Sequence, residues 1–132
     1  MKTGVAFDLG TSGFRAHKMD LETGEIKRTV ITLRNPIPGA NVMDHMDFAI
    51  HYGQDLTHDL VIDAVKNIIS KLEVETESLE RISVCGNPIQ LSLFQGMTIE
   101  DLAYAGEKKK KKYNIKDQER KANILDSGEI TG

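Results

Sequence analysis

The first two extended runs of this chain are joined by so few residues that no helix fits between them. Thr3 to Asp8 sets Val5 and Phe7 against the small residues Gly4 and Ala6, a pattern suited to a buried, crowded strand. Extended structure resumes at Phe14 and runs to Met19, just beyond the turn Gly10-Thr11-Ser12-Gly13. Strands joined so tightly are antiparallel, because a parallel pair needs a crossover of about a dozen residues or more. Asp20-Leu21-Glu22-Thr23-Gly24 predicts a second hairpin turn, with Gly24 able to take positive φ. Ile26 to Leu33 then carries Val30, Ile31 and Leu33, residues that favour a third strand.

The pattern changes at Asn35-Pro36-Ile37-Pro38-Gly39, which marks an irregular connection. From Asp55, a candidate N-cap, to Leu72 the period is helical: Leu56, Leu60, Val61, Ala64, Val65, Ile68, Ile69 and Leu72 form one stripe. Arg81 to Cys85 reads as a strand with Ile82 and Val84 on one face. It leads into Gly86-Asn87-Pro88, where Asn87 caps a helix and Pro88 fits its first position. That helix carries Ile89, Leu91, Leu93 and Phe94 and stops at Gly96. A Rossmann unit opens β-α-β. Three antiparallel strands, then helix-strand-helix, instead predict an α/β, RNase H-like lobe over residues 1–106.

Lys108 to Lys112 is an unbroken lysine run inside a charged stretch, residues 107–121, which predicts a solvated loop. Asn123 to Asp126 suggests a last strand within 122–132, the start of a further segment. A formal charge of −3 argues against nucleic acid or an anionic membrane surface as the partner of the lysines. The hydrophobic share of 39% and charged share of 28% describe an ordinary globular domain. The start lacks the apolar run of a signal peptide, and no stretch is apolar enough to span a bilayer, so a cytoplasmic protein is expected. Cys85 is the single cysteine, which excludes an internal disulfide and a thiolate metal cage.

The first turn carries the chemistry. Asp8 ends a buried strand, and Gly10, Thr11, Ser12 and Gly13 follow it. Gly10 lets backbone approach an anion, successive N–H groups form a concave nest, and the two hydroxyls add donors. Asp8 repels phosphate, so its role is Mg²⁺, held through water on the β- and γ-phosphates. This is not the Gly-x-x-x-x-Gly-Lys loop of P-loop proteins. The plain alternative is a hairpin turn built from turn-forming residues; its position after the first strand of the lobe favours the phosphate reading.

Ala6-Phe7-Asp8-Leu9-Gly10-Thr11-Ser12 resembles the first phosphate motif of the actin, chaperone and sugar-kinase (ASKHA) superfamily. Asp20 to Ile26, Gly39-Ala40-Asn41-Val42, and Gly86-Asn87-Pro88-Ile89 through Gly96 are similar to the ATPase domain of reductive activators of corrinoid proteins. The runs Gly4 to His17 and Pro38 to His45 resemble methanogenesis marker protein 14, an archaeal family. The resemblance implies ATP and Mg²⁺ as cofactors, with Asp8, Gly10, Thr11, Ser12 and Gly13 as the binding residues and Asp8 as the metal-side group. It implies an ATPase once a second lobe, in the same chain or a partner, completes the site. It also implies a corrinoid protein or methanogenesis enzyme complex as the target. A sugar or acyl kinase of the same superfamily and a non-catalytic interaction module are the rival readings. Asp126-Ser127-Gly128-Glu129 lacks the spacing of the second phosphate turn, and one cysteine is insufficient for the iron–sulfur domain of the activators.

His45, His51 and His58 with Asp44, Asp47, Asp55 and Asp59 invite a metal reading, but their spacing favours exposed polar residues. Cys85 is expected as a buried structural thiol, Phe14 and Phe94 as core, and Arg15 as a surface residue. Asn87 is expected as a helix cap, with a nucleotide-side contact as the rarer role.

Overall fold

The structure is a computed structural model that describes residues 1–103 and Lys116. The lysine run, the strand expected at Asn123 to Asp126 and the boundaries drawn at 107–121 and 122–132 lie outside the described residues. Strands β1 (Thr3–Leu9), β2 (Phe14–Asp20), β3 (Ile26–Ile31) and β4 (Leu79–Gly86) form one sheet in the order β3-β2-β1-β4. Both hairpins are antiparallel, with Leu9 opposite Phe14 and Asp8 opposite Arg15, and a register shift between Lys18 and Met19. β4 runs parallel to β1, with Asp8 opposite Cys85 and Leu9 opposite Gly86. A parallel return needs a crossover, and α1 (Val42–Tyr52) and α2 (Gln54–Leu72) supply it.

Period-two alternation decides what each face of the sheet does. Val5, Phe7 and Leu9 of β1 and Phe14 and Ala16 of β2 are buried. They share one core with Val61, Val65, Ile68 and Leu72 of α2 and with Ile89, Leu93 and Phe94 of α3 (Pro88–Gln95). Phe14 and Phe94 are thus core, as expected. Fully burying a side chain of this kind contributes about 2–3 kcal/mol. Asp8, Arg15 and Cys85 sit opposite one another in neighbouring strands and are all exposed. Cys85 is therefore not the buried thiol its strand position suggested. The alternation turns Ile82 and Val84 to the core and leaves Cys85 on the other face.

The stretch between Gly39 and Asp55, for which the sequence predicts no element, is largely helical. α1 starts at an Asn41 cap, whose Oδ1 accepts from the Asp44 N–H at 2.9 Å, while Asp44 Oδ2 accepts from Ala40 N–H at 3.0 Å. This reciprocal pairing satisfies N–H groups that have no partner inside the helix. α1 buries His45, Met46 and Ala49, with Val42 and Phe48 packed against the core beside them. Gly53, at φ 100°, ends α1 and serves as N-cap of α2, the place assigned to Asp55; Asp55 stands in the first turn instead. α3 follows the sequence closely, with Asn87 as cap, Pro88 first and Gly96 last. A single 3-10 turn at Thr76–Ser78 leads into β4, and a short α4 (Glu100–Ala103) closes the described part. Among the described residues no helix is long and apolar enough to cross a membrane.

Candidate functional site

The turn between β1 and β2 is closed from within and fastened from outside. Within it, the Gly10 N–H donates to the Gly13 carbonyl at 3.1 Å. A Cβ on Gly10 would stand 2.8 Å from that same carbonyl oxygen, and a Cβ on Gly13 would stand 2.6 Å from the Thr32 carbonyl oxygen. Both glycines are therefore required by close backbone approach inside the turn. This corrects the idea that Gly10 is bare in order to admit an anion: its N–H and the space beside its α-carbon are both used by the turn itself. The donors left to the turn are the N–H groups of Thr11, Ser12 and Gly13 and the two hydroxyls.

Three elements hold the turn from outside. On the β3 side, the Phe14 N–H donates to Thr32 Oγ1 at 2.8 Å, and the Thr32 N–H donates to the Phe14 carbonyl at 2.8 Å. In the connection after β3, Asn35 Nδ2 donates to the Gly10 carbonyl at 2.9 Å, and Asn35 Oδ1 accepts from Ile37 N–H at 2.9 Å. At the start of α3, Asn87 Nδ2 donates to Thr11 Oγ1 at 3.2 Å while Asn87 Oδ1 caps Gln90 N–H at 2.9 Å. Asn87 is thus both the expected cap and a contact to the turn. The N-terminus of α3, the positive end of its dipole, faces the same turn.

The carbonyls of Gly10 and Gly13 both accept protein hydrogen bonds, so their negative ends are turned into the fold. Two of the turn's carbonyls are thereby withdrawn from an anion, which would otherwise be repelled by them. Asp8 is exposed at the end of β1, on the sheet face away from the core, and Ser12 is exposed at the turn's tip. The structure therefore gathers Asp8, Gly10, Thr11, Ser12 and Gly13 at one end of the sheet. Arg15, opposite Asp8 on β2, shares Asp8's face. Sequence reasoning missed Thr32, Asn35 and Gln90; the one legible signal was Asn35 before proline, a residue that bonds its own backbone in turns.

The histidines do not assemble. Among the described residues no group of three or more His, Cys, Asp and Glu is arranged to hold a metal. His51 Nδ1 donates to the Asp47 carbonyl of its own helix, and His58 Nδ1 donates to the Leu93 carbonyl of α3. His45, expected to be exposed, is completely buried.

Comparison with known proteins places this architecture. The family model described as the RACo middle region matches residues 3–131. A [Co(II) methylated amine-specific corrinoid protein] reductase of Methanosarcina barkeri is 50% identical over 129 residues, which cover 98% of this chain and 24% of that protein. A solved structure of a reductive activator for a corrinoid, iron–sulfur protein superposes with a TM-score of 0.63 at 20% identity, over 78% of this chain and 17% of that one. The chain thus spans about a quarter or less of the length of these relatives. The likeness to the solved activator is one of fold. By the family match over residues 3–131, the chain belongs to the RACo middle region family.

Proposed function

We propose that this chain is the first phosphate-binding lobe, RNase H-like in architecture and of the ASKHA kind, of an ATP-dependent activator of a corrinoid protein. The observation that carries the reading is the turn from Asp8 to Gly13, closed by its own glycines and fastened by Thr32, Asn35 and Asn87. The N–H groups of Thr11, Ser12 and Gly13 and the hydroxyls of Thr11 and Ser12 would bind the phosphates, and Asp8 would hold Mg²⁺ through water. Mg²⁺ bound there supplies neutralising charge for the β- and γ-phosphates. The residues fit that group: the carboxylate is exposed beside the turn, and the carbonyls of Gly10 and Gly13 are taken up by protein donors.

Cys85, as the single cysteine, cannot hold an iron–sulfur cluster by itself, so the part assigned to this segment is nucleotide-dependent rather than electron-carrying. A second lobe closes over the nucleotide, and closure does work on the partner. The archaeal relative's name gives a Co(II) corrinoid protein as its substrate, and the same class of partner is proposed here. The narrower likeness to methanogenesis marker protein 14 rests on Gly4 to His17 and Pro38 to His45 alone. The test is Asp8→Ala in the complete protein, with Mg-ATP affinity measured by calorimetry with and without Mg²⁺. Loss of a charged metal-side group should weaken Mg²⁺-dependent binding by about tenfold or more. Unchanged affinity would leave the turn a plain hairpin and the lobe a non-catalytic module.

A further inference from the structure

Behind the turn lies a largely buried run of polar side chains that joins it to α1. His45 and Gln90 are both fully buried. Gln90 Nε2 lies 2.9 Å from His45 Nδ1, and His45 Nε2 lies 3.2 Å from the Gly39 carbonyl oxygen. Asn35 Nδ2 lies 3.1 Å from Gln90 Oε1 and 2.9 Å from the Gly10 carbonyl oxygen.

We propose that His45, Gln90 and Asn35 form a directional hydrogen-bond relay that sets the Gly10 carbonyl, and that His45 is thereby a positioning residue for the phosphate turn. The nucleotide half of this inference rests on the reading of that turn given above. Direction follows from the donor inventory. Carbonyl oxygens only accept, so Asn35 donates to Gly10 and His45 donates to Gly39. The amide nitrogen of Gln90 only donates, so His45 Nδ1 accepts and the ring proton sits on Nε2. Gln90 Oε1 is then left to accept from Asn35, and Asn35 Oδ1 accepts from Ile37 N–H. Asn35 Nδ2 donates twice, one hydrogen to each acceptor, and every other group is used once in the one sense that closes.

Reversal at one member forces reversal at the next. Were Gln90 to turn its amide over, its NH₂ would confront the NH₂ of Asn35. Asn35 would have to turn in response, and the Gly10 carbonyl and the Ile37 N–H would both lose their partners. A buried polar group without a partner is costly, so the members are coupled rather than independent. The carbonyl of Gly10 would then be free to swing outward, placing negative charge toward the proposed phosphate site. Gln90 also stands on the helix whose cap, Asn87, bonds Thr11, so α3 reaches the turn directly through Asn87 and indirectly through Gln90 and Asn35.

The test uses the complete protein with His45→Leu and His45→Asn. Leucine removes the acceptor that Gln90 needs; asparagine restores a side-chain acceptor near the place of Nδ1. The first readout, taken without nucleotide, is hydrogen exchange in the peptide spanning Asp8 to Phe14, relative to the peptide spanning α2. His45→Leu should speed exchange of the turn about tenfold more than that of α2, and His45→Asn should recover most of the difference. Exchange that rises equally in both peptides, or not at all, overturns the relay, because His45 would then be ordinary core. The second readout is Mg-ATP affinity, expected to fall about tenfold in His45→Leu and to be rescued in His45→Asn. A turn that loosens while the affinity of an ATP-binding wild type stays constant overturns the positioning role. A wild type that binds no Mg-ATP, yet shows the exchange response, sinks the phosphate reading and leaves the relay standing.

Discussion

The chain makes two hairpin turns in quick succession, and they are held in opposite ways. The turn from Asp20 to Glu25 is secured almost wholly by its own residues. Gly24 N–H donates to the Asp20 carbonyl, Asp20 N–H to the Glu25 carbonyl, and the side chains of Asp20 and Thr23 accept from Glu22 and Glu25 N–H. It reaches outside itself at Leu21, whose N–H donates to the Lys2 carbonyl. The turn from Leu9 to Phe14 instead borrows Thr32, Asn35 and Asn87 from parts of the chain far away in sequence. A turn that only reverses the chain needs local bonds and can tolerate drift. A turn fixed from several sides has one geometry, which is what a binding constellation needs and a connector does not.

The sharpest way to break this contrast is to add one methyl group to each turn. In Gly13→Ala the new Cβ would meet the Thr32 carbonyl oxygen at 2.6 Å, backbone against backbone, with no flexible side chain to give way. Overpacking of that kind should cost about 3 kcal/mol in a urea titration. At Gly24 nothing stands within 4 Å, so Gly24→Ala meets only the strain of its φ of 78°, about 1 kcal/mol. Equal costs would mean that both turns are plain connectors.

The next largest effect should come from Asn87, which links the first turn to α3. Asn87→Ala loses the helix cap and the bond to Thr11 together and should cost about 2 kcal/mol. Asn87→Ser separates the two parts: it keeps a capping oxygen but is too short to reach Thr11. Denaturation should then show most of the stability restored, while Mg-ATP affinity of the complete protein remains low. Recovery of both would assign Asn87 to the helix alone.

The same contrast explains what could be read in the sequence. The strands, α2 and α3 announce themselves through local signals: alternation in Val5 and Phe7, the stripe from Val61 to Leu72, and the Asn87-Pro88 start. The second turn is legible for the same reason, since all its partners but the Lys2 carbonyl lie within a few residues. α1 was hidden because a buried His45 takes a place where the helical period calls for an apolar residue. Cys85 was misplaced because a short strand run does not say which of its faces is covered. Asp8, Gly10, Thr11, Ser12 and Gly13 could be picked out as a group, but the reason for the glycines could not. It depends on the Gly13 carbonyl turning back on Gly10 and on Thr32 arriving from the next hairpin. The relay through Asn35, Gln90 and His45 was illegible altogether, because its members meet only after the crossover has formed.

The smallest expected effect sharpens the contrast from the other side. Lys27, beside the second turn, is exposed, and its pKa is raised by the hydrogen bond from its ammonium to Glu25 at 2.9 Å, and then by the Glu25 charge. A raised folded-state pKa stabilises the protein at every pH below the unfolded value, near 10.5, and that contribution is lost as pH rises through the folded value. Across the neutral range the contribution is therefore constant, and solvent screens it because the pair lies at the surface. Glu25→Gln removes the pair while its backbone carbonyl still accepts from Asp20 N–H. Denaturation midpoints at moderate salt should be indistinguishable from the parent at neutral pH. A loss comparable to that of Gly13→Ala would show that the second turn also depends on side chains being held in one place. The distinction between a connector and a site would then have to rest on chemistry alone.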